Sequence, residues 1–328
     1  MMNNRRFEWY IMLLTLLVLL VAGAGCQDDT PDPKPGLPKQ DPSNVADEVE
    51  KYQQGEPTIS LYRKNTGAKQ ELKLEEYIKG VVAAEIGDKF PMEALKAQAI
   101  VARTNTLALL EYENGTRGKH KTDASDDHTE FQAYNEKAIT ERISKAVDQT
   151  RGEVLTYNGK FAYALFHSVS TDKTASIEEG FPKLKDKAGY LVPVKTNGIS
   201  IAPKKYQNWT VTVPKSNIKS IMGAQAGDLN DIKIAKKGPS GRALTITAGG
   251  ASIAAVDLRE EVGFDRLYST TFKSIKAEGD NIIFQGTGWG HGVGMEQWGA
   301  KLMANDKKSA KEIVQHYFPK LSWLKLYD

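Results

Sequence analysis

Glu85 falls where a helix should be apolar. In the run from Leu74 to Glu85, residues Leu74, Tyr77, Ile78, Val81 and Val82 recur on one face of a 3.6-residue helix, and Glu85 is the next position on that stripe. A carboxylate placed there is partly desolvated, which penalises its charged form and lifts its pKa toward neutrality. A carboxylic acid so tuned can give up a proton near pH 7 and later take one back. The competing reading is a glutamate at a frayed helix end, reaching water just before Gly87-Asp88-Lys89.

The second landmark is a glycine loop, Gly286-Thr287-Gly288-Trp289-Gly290-His291-Gly292-Val293-Gly294, running into Met295-Glu296-Gln297-Trp298-Gly299-Ala300. Alternating glycines let a backbone approach a ligand closely. The loop lacks the Gly-Lys-Ser/Thr of a phosphate-cradling loop and the third glycine of a dinucleotide motif. Trp289 and His291 on such a backbone suit a sugar, whose apolar face stacks on indole while its hydroxyls take polar partners. A tight strand-to-helix turn with Trp289 packed inside is the other reading. His167 and His291 each end an expected strand, with no acid at helix spacing beside either, so structural histidines are favoured over zinc ligands. Ser168 and Ser170 lack the Gly-x-Ser-x-Gly turn of an α/β-hydrolase nucleophile.

The elements that must position these groups follow from the same sequence. A strand over 58–62 precedes the Glu85 helix, and a second helix starts near Pro91 and runs through Lys96, Gln98 and Arg103 to about Tyr112. Residues 115–135, polar and carrying His120 and His128, read as a long surface loop that could line a groove. Strands over 153–157 and 161–166 flank Asn158-Gly159, a hairpin turn. Short β-like runs over about 209–258 predict a β-rich lobe inserted between two halves of the core. A strand over 282–284, the glycine loop and a helix close the chain. The expected class is α+β, with a mixed helical and β core.

Ahead of that domain, Arg5 and Arg6 precede an apolar run from Ile11 to Ala24 and small residues up to Cys26. This predicts an export signal over 1–26, with Cys26 as a lipidation site or the run as an uncleaved membrane anchor. Residues 27–57, rich in proline and acids, predict a disordered tether to a domain spanning 58–328. Cys26 is the one cysteine among 328 residues, so no internal disulfide or thiolate zinc cluster can form. A net charge of +3, evenly mixed, gives no case for nucleic acid.

Three blocks carry a family resemblance: residues 76–85 (EYIKGVVAAE) with 94–104 (ALKAQAIVART), then Phe166-His167-Ser168, then 288–295 (GWGHGVGM) with Gln297-Trp298-Gly299-Ala300. Together they resemble the stage II sporulation protein D (SpoIID/LytB) family. Weaker echoes at Gly241-Arg242, Leu258-Arg259 and Tyr268 to Phe272 extend the likeness from Thr58 to Tyr327. The resemblance implies a lytic transglycosylase of peptidoglycan glycan strands, or, as in the LytB branch, an enhancer of a cell-wall amidase. It places Glu85 on the family's catalytic glutamate. That group would protonate the oxygen between N-acetylmuramic acid and N-acetylglucosamine, then accept the muramic C6 hydroxyl proton as that oxygen closes onto C1. An internal nucleophile removes the need for the second carboxylate of ordinary glycosidases.

On the same resemblance, Lys96, Gln98 and Arg103 would orient Glu85 or bind glycan, and His167, Ser168, Trp289, His291 and Gln297 would line a glycan groove. The expected setting is the outer face of a cytoplasmic membrane and the cell wall. Two departures from the family stand out. Residues 122–132 lack the cysteines that some relatives carry there, so no structural zinc and no cofactor is expected. Glu296 replaces a small polar residue: facing the site it would push Glu85 up by like-charge repulsion, and starting the last helix it would be a favourable first-turn acid.

Overall fold

The computed structural model describes residues 37–328; the export signal, Cys26 and residues 27–36 of the expected tether lie outside them. The class is α+β, built on two apolar cores. Among the described residues no helix is long and apolar enough to cross a membrane.

The larger core forms around the 21-residue helix Met92–Tyr112. Its alanines at 94, 97, 99 and 102 are buried, and small side chains let neighbouring helices approach closely. The Leu74–Glu85 helix, the Glu141–Asp148 helix and the last two helices, Gln297–Asn305 and Ala310–Tyr317, all pack on it. Thr58–Tyr62 pairs antiparallel with Lys69–Lys73, which runs directly into the Leu74–Glu85 helix. On another side Glu153–Tyr157 sits between Ser322–Lys325 and Lys160–Phe161, both antiparallel, with Asn158-Gly159 making the expected turn. The second hairpin strand ends at Phe161 rather than Phe166; residues 162–165 are buried without a ladder partner.

Residues 37–57, expected as disordered tether, are instead ordered against this core. Leu37 and Val49 are buried, and the Gln40 N–H donates to the Trp323 carbonyl at 2.8 Å. The composition there is polar on average, but two well-spaced apolar anchors and an edge strand to pair with are enough to hold a strap.

The smaller core gathers Trp209, Val213, Ile218, Ile246, Leu258, Phe272, Ile282 and Phe284. Two three-stranded sheets enclose it, one of Lys233–Lys237, Ala243–Ala248 and Ala251–Ala254, the other of Trp209–Pro214, Asn281–Gly286 and Phe272–Glu278. The β-rich region therefore reaches Phe284, past the Leu258 expected. Its extension rests on the pairing of 281–286 with 209–214, residues about seventy apart in sequence.

Candidate active site

The helix stripe is buried as its spacing requires: Leu74, Tyr77, Ile78, Val81 and Val82 are all 0% exposed. Glu85 is the last helical residue, and the Ile86 and Gly87 N–H groups both bond back to the Val82 carbonyl at 3.2 Å to end the helix there. Its side chain is half-buried, open enough to meet a ligand. Two neutral donors hold the carboxyl, the Gln297 Nε2 at 3.3 Å from Oε2 and the Ala133 backbone N–H. Desolvation outweighs both donors and lifts the pKa to about 7. No cation pairs with Glu85 and no second carboxylate acts on it among the described residues. The group is thus poised to exchange a proton at neutral pH.

The loop behind Glu85 is fastened rather than irregular. Ala124–Ser125 adds a parallel strand to Thr58–Tyr62, and the Asn135 N–H donates to the Gly80 carbonyl at 3.0 Å. Tyr134 stacks on Tyr77 over Gly80, where a Cβ would lie 2.1 Å from the Tyr134 ring. Arg63 closes the loop, pairing with Asp126 at 3.2 Å and Glu136 at 3.5 Å beneath the Tyr134 ring. Lys64 pairs with Asp127 at 2.6 Å. Among the described residues no group of three or more His, Cys, Asp or Glu is placed to hold a metal ion.

Gln98, Gln297 and Glu85 converge. Gln297 opens the Gln297–Asn305 helix and reaches both Glu85 and the Gln98 Oε1, the latter at 3.5 Å, while the buried Gln98 Nε2 has no partner. An orphaned buried amide beside the acid is costly unless a ligand or water completes it. His167 and His291 belong to the bed of the glycine loop. His167 Nδ1 lies 3.2 Å from the Val293 carbonyl and its Nε2 accepts from Ser170 Oγ at 2.7 Å; burial holds the ring neutral. His291 Nε2 donates to the Phe166 carbonyl at 2.8 Å, and its Nδ1 accepts from the Val293 N–H. Burial of the imidazole, then Arg259 and Arg242, push it down to about 3, although part of the side chain reaches the surface. Both rings are structural in this conformation. Gly294 explains the glycine loop: at φ 75° a Cβ would lie 2.0 Å from the Leu165 carbonyl oxygen, so the loop lies flat on the 165–170 segment. That contact fixes Met295–Glu296 in parallel register with Phe166–His167 and aims Gln297 at Glu85. Ser168 is half-buried at the same junction, its carbonyl accepting from the Trp298 N–H at 3.3 Å.

Trp289 sits at the edge of the smaller core. It stacks on Tyr268 at 4.4 Å and meets Tyr206 edge-on, with Lys205 over its ring.

Three expectations do not fully match the geometry. Arg103 is fully buried and forks onto Glu75, not Glu85, with Nε 2.9 Å from Oε1; its remaining nitrogen donates to the Glu153 carbonyl. Lys96 pairs with Glu93 at 2.8 Å and lines a cavity of about 780 Å³ with Lys39 and Trp323. Two positions from Gln98 is about 200° around a helix, which puts Lys96 on the far face. Glu296 does not act on Glu85; it stands at the N-cap position of the Gln297–Asn305 helix, as one of the two expectations had it, but its side chain makes no cap hydrogen bond. It is 0% exposed, accepts from the Ser170 N–H at 2.9 Å and from the Thr196 hydroxyl, and burial raises it to about 7.

Sequence reasoning missed Ala133 and the nearness of Tyr77 to the acid. Ala133 contributes only its backbone, which no residue-type signal marks. Tyr77 is legible as core, but its hydroxyl is pushed well up by burial and by the Glu85 charge, a proximity the one-face spacing already contained.

The chain is similar in sequence to known proteins. A family model described as "Stage II sporulation protein" matches residues 62–157, and a domain of unknown function matches 185–294. The chain is 33% identical over 274 residues to the stage II sporulation protein D of Bacillus amyloliquefaciens, covering 80% of this chain and 77% of that protein. The protein of the same name from Bacillus subtilis (strain 168) matches at the same identity and coverage. An amidase enhancer of Bacillus subtilis (strain 168) is 25% identical over 292 residues, covering 74% of this chain and 39% of that protein.

Proposed function

The chain belongs to the stage II sporulation protein D family, and on that premise we propose that it acts at the cell wall as a lytic transglycosylase with Glu85 as its general acid and base. The observation that carries this reading is a half-buried carboxyl raised to about 7, held by two neutral donors, with neither cation nor second carboxylate acting on it among the described residues. Hydrolysis by the usual two routes needs a partner carboxylate at a set separation, to activate water or form a covalent intermediate. A single acid serves a different step. Protonated Glu85 gives its proton to the glycosidic oxygen between N-acetylmuramic acid and N-acetylglucosamine, and the C1–O bond breaks. The resulting carboxylate then takes the proton from the muramic C6 hydroxyl as that oxygen bonds to C1. The products are a free 4-hydroxyl and a 1,6-anhydro end, no water is consumed, and Glu85 ends protonated as it began.

Gln297 and the Ala133 N–H steady the carboxylate between the two transfers, because both donate to the charged form. The unpartnered Gln98 amide is a further contact for a sugar hydroxyl or acetamide. The proposed setting is outside the cytoplasm, with the 1–26 segment as signal or anchor.

The similarity to an amidase enhancer favours one other reading, a glycan-binding module that stimulates a cell-wall amidase without cutting. Mass spectrometry of amidase-treated peptidoglycan incubated with the protein and with its Glu85→Gln variant separates the two. Anhydromuramic ends formed by the parent alone are the expected result. New reducing ends would mean hydrolysis, and intact strands that still bind would favour the enhancer.

A further inference from the structure

Glu296 stands one residue before the amide that touches the acid, and its carboxyl is turned away from the helix it precedes. It occupies the N-cap position of the Gln297–Asn305 helix, yet its side chain makes no cap hydrogen bond. It reaches instead to two segments outside that helix. The Ser170 N–H donates to Oε1 at 2.9 Å, the Gly198 N–H donates to the same carboxyl, and the Thr196 hydroxyl donates to Oε2. Thr196 Oγ1 also lies 2.9 Å from the Tyr317 hydroxyl, which joins the Ala310–Tyr317 helix to the cluster. The fit is close on both sides: a Cβ on Gly198 would lie 2.6 Å from Oε1, and one on Gly299 would lie 2.5 Å from Oε2. Glu296 is 0% exposed. Among the described residues the charged and titratable groups that act on it or feel it are the Arg242 guanidinium and the Tyr317 hydroxyl.

The contact that this clamp stands behind is a marginal one. Gln297 Nε2 lies 3.3 Å from Glu85 Oε2, and by about 3.6 Å a side-chain contact is no longer a hydrogen bond. A slip of a few tenths of an ångström at the start of the helix is enough to lose it. The pairing of Met295–Glu296 with Phe166–His167 fixes the backbone on one side of that start. The Glu296 carboxyl fixes the other. We infer that Glu296 is a positioning residue for the acid: by holding Ser170, Thr196 and Gly198 it sets where Gln297 points and keeps that amide on Glu85. The consequence for turnover rests on the transglycosylase reading; the consequence for the Glu85 proton does not.

Two ways for Glu296 to influence Glu85 carry opposite signs. A carboxylate acting through space raises the pKa of a neighbouring acid, so removing it lowers that pKa. The Gln297 amide favours the Glu85 carboxylate, so misaiming it raises the pKa. The test follows carboxyl titrations by carbon-13 NMR in the parent, Glu296→Ala, Glu296→Gln, Gln297→Leu and the double variant Glu296→Ala with Gln297→Leu. The signal that disappears in Glu85→Gln identifies Glu85. Its titration is expected to move up by about half a pH unit in Glu296→Ala, as in Gln297→Leu, and no further in the double variant. Glu296→Gln keeps an acceptor for the Ser170 N–H and should stay within about 0.2 unit of the parent. In anhydromuramic product assays kcat should fall about tenfold in Glu296→Ala with KM within about twofold, and Glu296→Gln should restore it. Should Glu296→Ala fail to fold, Thr196→Val removes one donor of the clamp and is expected to move Glu85 in the same upward direction. A downward shift, no shift, or shifts that add in the double variant would overturn the inference. A parent that forms no anhydromuramic product would sink the transglycosylase reading alone, because the titration needs no substrate.

Discussion

Two glutamates ten residues apart on one helix are put to opposite uses. Glu75, in the first turn, is buried and saturated: the Arg103 fork, the Gly152 N–H at 3.2 Å and the Tyr327 hydroxyl at 2.8 Å all donate to it. Glu85, at the last turn, has a neutral amide, one backbone N–H and a partly open face. Both carboxyls lie among apolar side chains, so the difference lies in the partners. A charge-paired carboxylate bolts elements together and loses its use as an acid. A desolvated one without a cation keeps a proton at pH 7 at the expense of stability once ionised.

The largest break in this contrast is Glu85→Gln. Anhydromuramic product should fall by about 10⁴-fold, the upper range for a positioned general acid, with glycan affinity and the unfolding midpoint at pH 4 unchanged. Arg103→Met tests the other end. It leaves Glu75 buried without its cation and should cost about 3–5 kcal/mol in denaturant unfolding, with turnover of the remaining folded protein close to normal.

A sharper test uses the same Glu85→Gln variant for stability. The folded protein holds the Glu85 proton more tightly than the unfolded chain, so that contribution is full below the unfolded pKa and is lost as pH rises through about 7. At pH 8 the variant should therefore be more stable than the parent by about 1–2 kcal/mol, discounted for the open face, and the gain should vanish at pH 4. A parent that is the more stable of the two at pH 8 would contradict the desolvation of Glu85. The smallest effect is expected for Gln297→Leu. Its amide favours the carboxylate, so its removal raises the Glu85 pKa further; the alkaline limb of the pH–rate profile, where the protonated acid is lost, should move to higher pH, with turnover reduced about tenfold. A limb displaced to lower pH would show that Gln297 does not act on Glu85.

What was legible in the sequence follows the range of the interaction. Glu85 stood out because a helix stripe is written within twelve residues, and desolvation follows from the stripe itself. Arg103 lay on an equally suggestive helix, but its partner Glu75 is 28 positions back, on the neighbouring helix. Spacing within one helix carries no information about which of three glutamates on another helix a guanidinium will face. Lys96 failed for a simpler reason, the 200° that separates it from Gln98. His167 and His291 were readable as structural histidines rather than zinc ligands, since neither had an acid beside it; the groove-lining role the resemblance implied did not foresee that both nitrogens of each ring bond within the protein. Glu296 was read against Glu85 and against the helix that follows it, while its partners Ser170 and Thr196 come from segments a hundred residues or more earlier. The strap over 37–57 was hidden because an average composition conceals two anchors, Leu37 and Val49.

The strap also sets where the domain can be pulled. Lys39 bridges to Trp323, and the Gln40 N–H and Trp323 carbonyl close that bridge against the strand Ser322–Lys325, itself laddered to Glu153–Tyr157. Under the anchored arrangement proposed above, tension would enter the described residues through this seam. It meets the Lys96 face of the long helix first, the face turned away from Gln98 and Glu85. The load path runs through one sheet and the back of one helix, so the acid and its two donors sit off the line of force.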